Sequence, residues 1–293
     1  MSKNMQKASG LEERFAAIQA HAMQEAAEMR ERLSEPGLRV LGVSGSARDR
    51  LDMAQEDSSS EWLLMKCLDE MKMQSAETKL LKLRALDIRP CKSCYSTTNV
   101  QCHFKCSCYP EGERGDDMTN KVYDLMTWAD AVIFATPVNN FKMSSHMALF
   151  IDRLISMDGS LMPADPKDPK NVELNKQHTA WIEKHAGSEP GSGFLRRMAG
   201  KTAGIIVTGH EAGASLTISS LFMTLNHYGF VFSPFSNMYA MNTIAESTDK
   251  DAHIQRSRVY EAEARMLGRN VLRATRLAKQ MGEDAWEYET AIN

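Results

Sequence analysis

Residues 129–154 read ADAVIFATPVNNFKMSSHMALFIDRL. The stretch begins with an apolar run at 131–135, passes through a polar turn at 136–141, and continues into a helical pattern over 144–156. A short apolar strand followed by a polar loop and an amphipathic helix is the repeating unit of α/β proteins. The stretch therefore predicts one strand, one loop and one helix of a layered sheet.

The same alternation continues on both sides of this stretch. Other short apolar runs predict the remaining strands, at 38–43, 78–83, 202–208, and 230–232 or near Tyr239. Helical patterns separate these strands, at about 58–73, after Asp116 and Asp117, and at 214–228. Near-continuous apolar strands separated by helices indicate a parallel sheet that is covered on both faces. We therefore predict an α/β fold with a doubly wound, five-stranded parallel sheet.

Three segments lie outside this alternation, so the sheet domain is predicted at 37–242. Residues 1–36 predict a helical arm, whose helix at 11–33 packs on its own domain or on a second subunit. Residues 157–199 hold four of the nine prolines and predict an insertion, either a lid over the strand ends or a solvated excursion. Residues 243–293 predict a C-terminal helix with an arginine stripe, which is either solvated or subunit-facing.

The composition of the chain indicates what kind of protein it is and which partners are excluded. A length of 293 residues, 43% hydrophobic and 25% charged, is typical of a soluble globular protein. The formal net charge of −3 argues against a nucleic-acid or anionic-membrane partner. The sequence has no run of 18 apolar residues and no hydrophobic leader at its N-terminus, so we expect a cytoplasmic protein.

Three polar loops directly follow predicted strands, namely GVSGSAR at 42–48, TPVNNF at 136–141 and TGHEAGA at 208–214. The carboxyl ends of parallel strands meet at one edge of a sheet, where ligands bind, so the three loops are expected to converge. Hydroxyl and small residues in the first loop let backbone N–H groups and a helix N-terminus surround a phosphate. No Walker lysine follows, which favours a phosphate monoester over a triphosphate. A serine-rich turn after a strand, taken on its own, also occurs where no ligand binds.

The ordered set of motifs resembles the NAD(P)H-dependent FMN reductase-like flavoproteins, which have a flavodoxin-like fold. The motifs are SGSAR, the serine cluster at 58–60, DDM at 116–118, the stretch at 129–154 and GKTAGIIVTGHEAG at 200–213. The resemblance spans about residues 38–235. It implies that FMN phosphate is held by the first loop and its helix, through Ser44, Ser46, Ala47, Arg48, Ser58 and Ser60.

The resemblance also assigns the flavin ring to the other two loops. The implied ring-lining residues are Pro137, Val138, Asn139, Asn140, Phe141, Thr208, Gly209, His210 and Gly213. Asn139 stands where the family usually has a tyrosine, so another side chain would have to supply ring stacking at that point. The sequence singles out no acid, base or nucleophile, so the catalytic residues are unknown.

Five of the six cysteines lie within residues 91–108, namely Cys91, Cys94, Cys102, Cys106 and Cys108. A related subset of the family, the iron–sulfur flavoproteins, carries a compact cluster motif at this place, and Cys91 and Cys94 match its opening CxxC. Four thiolates suffice for a [4Fe–4S] cluster, and they also suit a structural zinc ion. The spacing of the five thiols does not determine which four would ligate a metal. A third interpretation is that the thiols are unligated or redox-active. His103, within the loop, is expected to face solvent.

Together these observations predict a flavin-dependent oxidoreductase that binds FMN and carries a [4Fe–4S] cluster as a second redox centre. Its electron donor or acceptor would be NAD(P)H or a redox partner protein. The resemblance implies a homo-oligomer, a dimer or tetramer. Two alternatives stay open: a flavodoxin-like scaffold whose zinc-bound cysteine loop docks a partner, and an FMN reductase that lacks any cluster.

Overall fold

The computed structural model describes residues 3–51, 53, 55–94, 102–187, 191–210, 213–242 and 250–282. The chain forms two compact units, each built from three separate segments. The sheet unit comprises Ser34–Ile88, Asp124–Ile151 and Met198–Asn293. The cysteine unit comprises Met1–Leu33, Arg89–Tyr123 and Asp152–Arg197.

The sheet unit contains all six strands of the described residues. They are β1 (Leu38–Ser44), β2 (Ala76–Lys82), β3 (Ala131–Asn139), β4 (Lys142–Met143), β5 (Thr202–His210) and β6 (Val231–Asn242). Five are parallel in the order β2-β1-β3-β5-β6, and the short β4 pairs antiparallel with β3. Without β4 this is the flavodoxin-like order, so the predicted fold is confirmed. Both sequence candidates for the fifth strand, 230–232 and the stretch near Tyr239, overlap β6, which bulges opposite Ala203 and Ile205.

The α-helices are α1 (Lys3–Ser34), α2 (Ser59–Met73), α3 (Tyr123–Trp128), α4 (Ser145–Arg153), α5 (Val172–His185), α6 (Ala214–His227), α7 (Lys250–Arg256) and α8 (Arg258–Met281). A π-helical turn (Met118–Val122) precedes α3, and a 3-10 turn (Leu154–Met157) follows α4. Ser257 divides the predicted C-terminal helix into α7 and α8, because its hydroxyl accepts the Tyr260 amide at the start of α8. None of the helices in the described ranges is long and apolar enough to cross a membrane.

The main core of the sheet unit lies between β1, β3, β5, β6 and the helices α2 and α8. Gly268 of α8 lies against α2, where an added Cβ would be 3.0 Å from the Cys67 carbonyl oxygen and 3.2 Å from its Sγ. Its missing side chain therefore lets the two helices approach closely. Part of the predicted arginine stripe on α8 faces α2, since Arg265 and Arg269 both pair with Glu70.

The cysteine unit has a smaller core between α1 and the predicted insertion. Ile18, Ala22 and Ala26 of α1 are buried with three apolar residues of the insertion, Leu161, Ile182 and Leu195. Arg197 of the insertion also forms an ion pair with Glu25 of α1. Its guanidinium donates to both Glu25 carboxylate oxygens, at 2.6 and 2.8 Å. The insertion contains the helix α5, which sequence reasoning did not predict. Within this unit, α1 thus packs on the insertion.

Candidate functional site

The loops after β1 and β3 are joined by Ser144. Its hydroxyl donates to the Gly45 carbonyl at 2.5 Å and accepts the Met147 amide at 3.2 Å, which caps α4. The Ser144 amide in turn donates to the Thr136 hydroxyl at 3.1 Å. The amide of Gly45 also donates to the Ala135 carbonyl at 2.7 Å. The first two predicted loops therefore meet at the carboxyl edge of the sheet.

The loops after β3 and β5 also approach each other. Asn140 and Phe141 connect β3 to β4 with φ values of 49° and 66°, the pattern of a two-residue type I′ hairpin turn. Gly213, at φ 91°, begins α6 against this turn, and a Cβ there would lie 2.5 Å from the Phe141 Cα. Only glycine meets both requirements without strain. Phe141 is 65% exposed, so its ring is presented at the tip of the hairpin.

Other predicted ring-lining residues lie at this same edge. Pro137 is paired in register with Thr208, and Gly209 follows with its backbone close to Val138. Thr208 is buried, whereas Asn139 and Asn140 are exposed. His210 ends β5, but its side chain and the next two residues lie outside the described part of the chain.

The predicted phosphate loop combines a buried hydroxyl with an exposed turn. Ser46 is buried and accepts the Arg48 amide at 3.2 Å, while Ala47 is exposed. Beyond this turn, Arg48 pairs with Glu56 at 3.4 Å, and Arg50 donates to Asp57 at 2.7 Å. These two ion pairs tie together the ends of the long segment that leads to α2.

The serines that precede α2 lie at its N-terminus. Ser58 is the N-cap, because its hydroxyl accepts the Glu61 amide at 3.2 Å, and it lies 3.1 Å from the Ser60 hydroxyl. Backbone N–H groups and the helix dipole make such a terminus favourable for an anion. Ser58 thus caps α2, and both serines lie at the helix N-terminus where the resemblance implies phosphate binding.

Ser44, which the resemblance assigns to the FMN phosphate, also has a partner within the protein. Its hydroxyl donates to Glu61 at 2.9 Å, and Arg84 and Lys82 donate to the same carboxylate at 2.5 and 2.6 Å. Burial raises the pKa of Glu61, but these three donors outweigh it and hold the pKa at about 2. Sequence reasoning missed this cluster, although SSSE at 58–61 is a capping-box pattern that marks Glu61.

The two ends of the cysteine loop are held by one buried ion pair in the cysteine unit. Arg153 is 1% exposed and donates to the carboxylate of Asp116, to Oδ1 at 3.2 Å, and to the carbonyl of Arg89 at 2.9 Å. Tyr109 packs its ring on this guanidinium and donates its hydroxyl to the Pro90 carbonyl at 2.8 Å. Asp116 also accepts the Thr119 amide and caps the following helical turn.

The thiols of the loop lie close enough to influence one another. Cys94 and Cys108 have their Sγ atoms 3.2 Å apart. Hydrogen bonds from Cys108 lower the pKa of Cys94 and of Cys106 to about 6 each, against the effect of burial. The pKa of Cys102 rises to about 12 through burial, then through the charges of Cys106, Cys94 and Cys91. All five predicted cysteines thus belong to one local cluster, whereas Cys67 is buried in the other unit.

His103 does not face solvent as expected. Its Nδ1 lies 2.8 Å from the Ser107 hydroxyl, and burial lowers its pKa to about 4. Ser156 donates to the His103 carbonyl at 2.5 Å, which fixes this side of the loop to the insertion. Among the described residues, no group of three or more cysteine, histidine or acidic side chains is already arranged to hold a metal ion.

Comparisons with known proteins agree with this description. Residues 38–170 match the family described as NADPH-dependent FMN reductase. A segment of 115 residues is 28% identical to an iron–sulfur flavoprotein of Archaeoglobus fulgidus. That segment is 39% of this chain and spans about half (49%) of the relative.

Solved structures show the fold alone. The crystal structure of RosB with a bound 8-demethyl-8-formylriboflavin-5′-phosphate intermediate matches with a TM-score of 0.55 and 15% identity, over 88% of this chain and 92% of that chain. A flavone reductase matches with a TM-score of 0.48 and 18% identity, over 86% of this chain and 66% of that one. The chain is therefore similar to the NADPH-dependent FMN reductases over residues 38–170, and its fold is flavodoxin-like.

Proposed function

We propose that this protein is a flavin-dependent oxidoreductase that binds FMN at the three loops of the sheet unit. The observation that carries the proposal is the convergence of the loops after β1, β3 and β5, tied through Ser144 and Gly213, on the edge where this fold class binds ligands. The family match covers the first two of these loops.

The residues at this edge fit the two ends of FMN. Ser46, Ala47 and Arg48, with Ser58 and Ser60 at the start of α2, would hold the phosphate through hydroxyl and backbone donors. The hairpin at 136–141 and the segment at 208–213 would enclose the ring. Bound FMN supplies the hydride or single-electron chemistry, and the protein orients the ring and excludes water.

Phe141 is our candidate for the aromatic side chain that contacts the ring, in place of the absent tyrosine at 139. It is a large, exposed aromatic residue in a left-handed backbone conformation, which is costly for a bulky side chain and is often retained at ligand sites. In this proposal the strained turn presents an apolar face to the isoalloxazine.

We further propose that the cysteine loop binds an iron–sulfur cluster as a second redox centre. Support comes from five neighbouring thiols, from the lowered pKa values of Cys94 and Cys106, and from a relative whose name is iron–sulfur flavoprotein. Cys91 and Cys94 with two of Cys102, Cys106 and Cys108 would hold the cluster. Loading would require the thiols to move apart into their ligating positions.

For the partners of the reaction, we propose NADPH as the first donor to test, because the matched family is described by that dependence. A homo-oligomer remains our proposal for the assembled protein. Neither proposal depends on the cluster.

The decisive experiment is anaerobic purification followed by absorbance, FMN, iron, sulfide and zinc analysis. We expect one FMN per chain and oxidation of NADPH by the loaded protein. A colourless protein that contains zinc and does not bind added FMN would refute the oxidoreductase proposal and favour a zinc-bound docking module. Bound FMN without iron would keep the reductase and eliminate the cluster.

A further inference from the structure

The thiols of Cys94 and Cys108 face each other across the cysteine loop. Their Sγ atoms are 3.2 Å apart, although the residues are 14 positions apart in sequence. A disulfide has an S–S distance of about 2.05 Å, so a movement of about 1 Å brings these sulfurs to bonding distance.

The contacts that hold this arrangement do not involve the thiols. Tyr109 donates to the Pro90 carbonyl, and Arg153 bridges the Arg89 carbonyl and Asp116, so both ends of the loop are fixed near each other. These contacts are all formed by oxygen and nitrogen groups, and they remain available whether or not a metal is bound. The fold therefore already holds Cys94 close to Cys108, so forming a bond between them costs little further chain entropy.

Cys106 is a less suitable partner for Cys108 than Cys94 is. Cys106 is 7% exposed and precedes Cys108 by only two residues, so a bond between them would close a small ring. Cys94 and Cys108 are both half-buried, which leaves each within reach of a small reagent. The geometry therefore favours the Cys94–Cys108 pair, whose sulfurs already lie 3.2 Å apart.

We propose that Cys94 and Cys108 form a reversible dithiol–disulfide pair, which a low-molecular-weight disulfide oxidises when no metal occupies the cysteine loop. The Cys94 thiolate attacks one sulfur of the reagent, forms a mixed disulfide and releases one thiol. Cys108 then gives its proton to solvent and attacks the Cys94 sulfur, which releases the second thiol. Two protein thiols lose two electrons in total, and one external disulfide is reduced to two thiols.

This pair uses thiols that the proposed cluster also needs, so the two states exclude each other. The disulfide would protect the metal-free loop from further oxidation, and reduction would restore the thiols for loading. The inference does not require that a cluster forms.

The test uses full-length protein that has been treated with chelator and reductant, desalted without oxygen, and incubated with oxidised glutathione. Non-reducing tryptic mapping then reports the bond. Cleavage after Lys92, Lys105 and Arg114 places Cys94 in peptide 93–105 and Cys108 in peptide 106–114. In the double variant Cys102→Ser/Cys106→Ser, only a Cys94–Cys108 bond can join these two peptides.

We expect two of the six thiols to disappear, the joined peptides to form in the wild type and the double variant, and dithiothreitol to reverse both changes. Cys108→Ser should abolish the joined product in the double-variant background. Six reactive thiols in the denatured wild-type protein after treatment, or a bond at another pair, would overturn the inference. If a variant fails to fold, fragmentation of the wild-type peptides locates the bond. Iron content measured before chelation tests the cluster proposal separately.

Discussion

Ser46 lies at the centre of the proposed phosphate site, buried beneath an exposed turn. Ser46→Asp places a carboxylate where we expect the FMN phosphate, so like-charge repulsion should lower FMN affinity by more than about tenfold. Riboflavin, which has no phosphate, should bind the variant and the wild type almost equally. Flavin fluorescence titration measures both affinities, with Ser46→Ala as the uncharged control. Equal FMN affinity in Ser46→Asp and wild type would show that the phosphate lies elsewhere.

Glu61 gives the sheet unit a specific pH dependence. Its pKa is held at about 2, below its usual value of 4.5, so its contribution to stability is complete above about pH 4.5 and is lost as pH falls toward 2. We expect this contribution to be about 1–2 kcal/mol after allowance for solvent screening. Between pH 5 and 2.5, the free energy of unfolding should therefore fall less steeply in Glu61→Gln than in the wild type. Asp116, whose pKa is also lowered by Arg153 against burial, is unchanged in both proteins and does not affect the comparison.

Gly213 combines a left-handed backbone with a close approach to Phe141. Gly213→Ala should destabilise the protein by about 2–4 kcal/mol, because the new methyl group meets backbone atoms that cannot move freely. Gly282→Ala is the matched control, since Gly282 also has positive φ but has no neighbour within 4 Å. Urea unfolding of both variants should show the larger loss at 213. Equal losses would mean that backbone strain alone explains both, and that the turn can move.

At the scale of elements, the close approach of α2 and α8 makes a second comparison possible. Gly268→Ala puts a Cβ about 3.0 Å from the Cys67 carbonyl oxygen and should destabilise the protein by about 1–3 kcal/mol. Gly10→Ala makes the same change in α1, where nothing lies within 4 Å, and should stabilise by about 0.5–1 kcal/mol. Thermal or urea unfolding gives both values. A stabilising Gly268→Ala would contradict the described helix packing.

Three strands of the sheet could be predicted from the sequence because each contains a nearly continuous apolar run. β1, β3 and β5 lie where the runs at 38–43, 131–135 and 202–208 indicate, and the loops that follow them could be placed for the same reason. The helix α5 was missed because prolines and charges dominate the segment before it. Its short apolar face becomes clear only when α1 packs against Ile182.

Two polar features of the site could not be predicted for a different reason. Glu61 and Arg84 are 23 positions apart, and Asp116 and Arg153 are 37 apart. Nothing in the local sequence pattern specifies such pairs, because they depend on which elements the sheet and the loop bring together. The hydrogen bond from the Ser44 hydroxyl to Glu61 is a third contact that depends on this long-range arrangement.

At the scale of the whole molecule, ligand binding should change the measured stability by mass action. If FMN binds only the folded chain, free FMN at 100 times its Kd should raise the free energy of unfolding by about 2.7 kcal/mol. Differential scanning calorimetry at increasing FMN concentration checks this, and Ser46→Asp should show a much smaller shift at the same concentrations. A Tm that does not change with FMN in the wild type would contradict FMN binding to the native state.

The packing of α1 has a consequence for biosynthesis. The apolar face of α1 includes Ile18 and Ala22, and its buried partners extend as far along the chain as Leu195. At about 5–20 residues per second, a ribosome needs roughly 10–30 s to synthesise the intervening chain. During that interval the newly made helix exposes its apolar side. The full set of packing partners for this helix, and with it the scaffold of the cysteine loop, is therefore complete only after that interval.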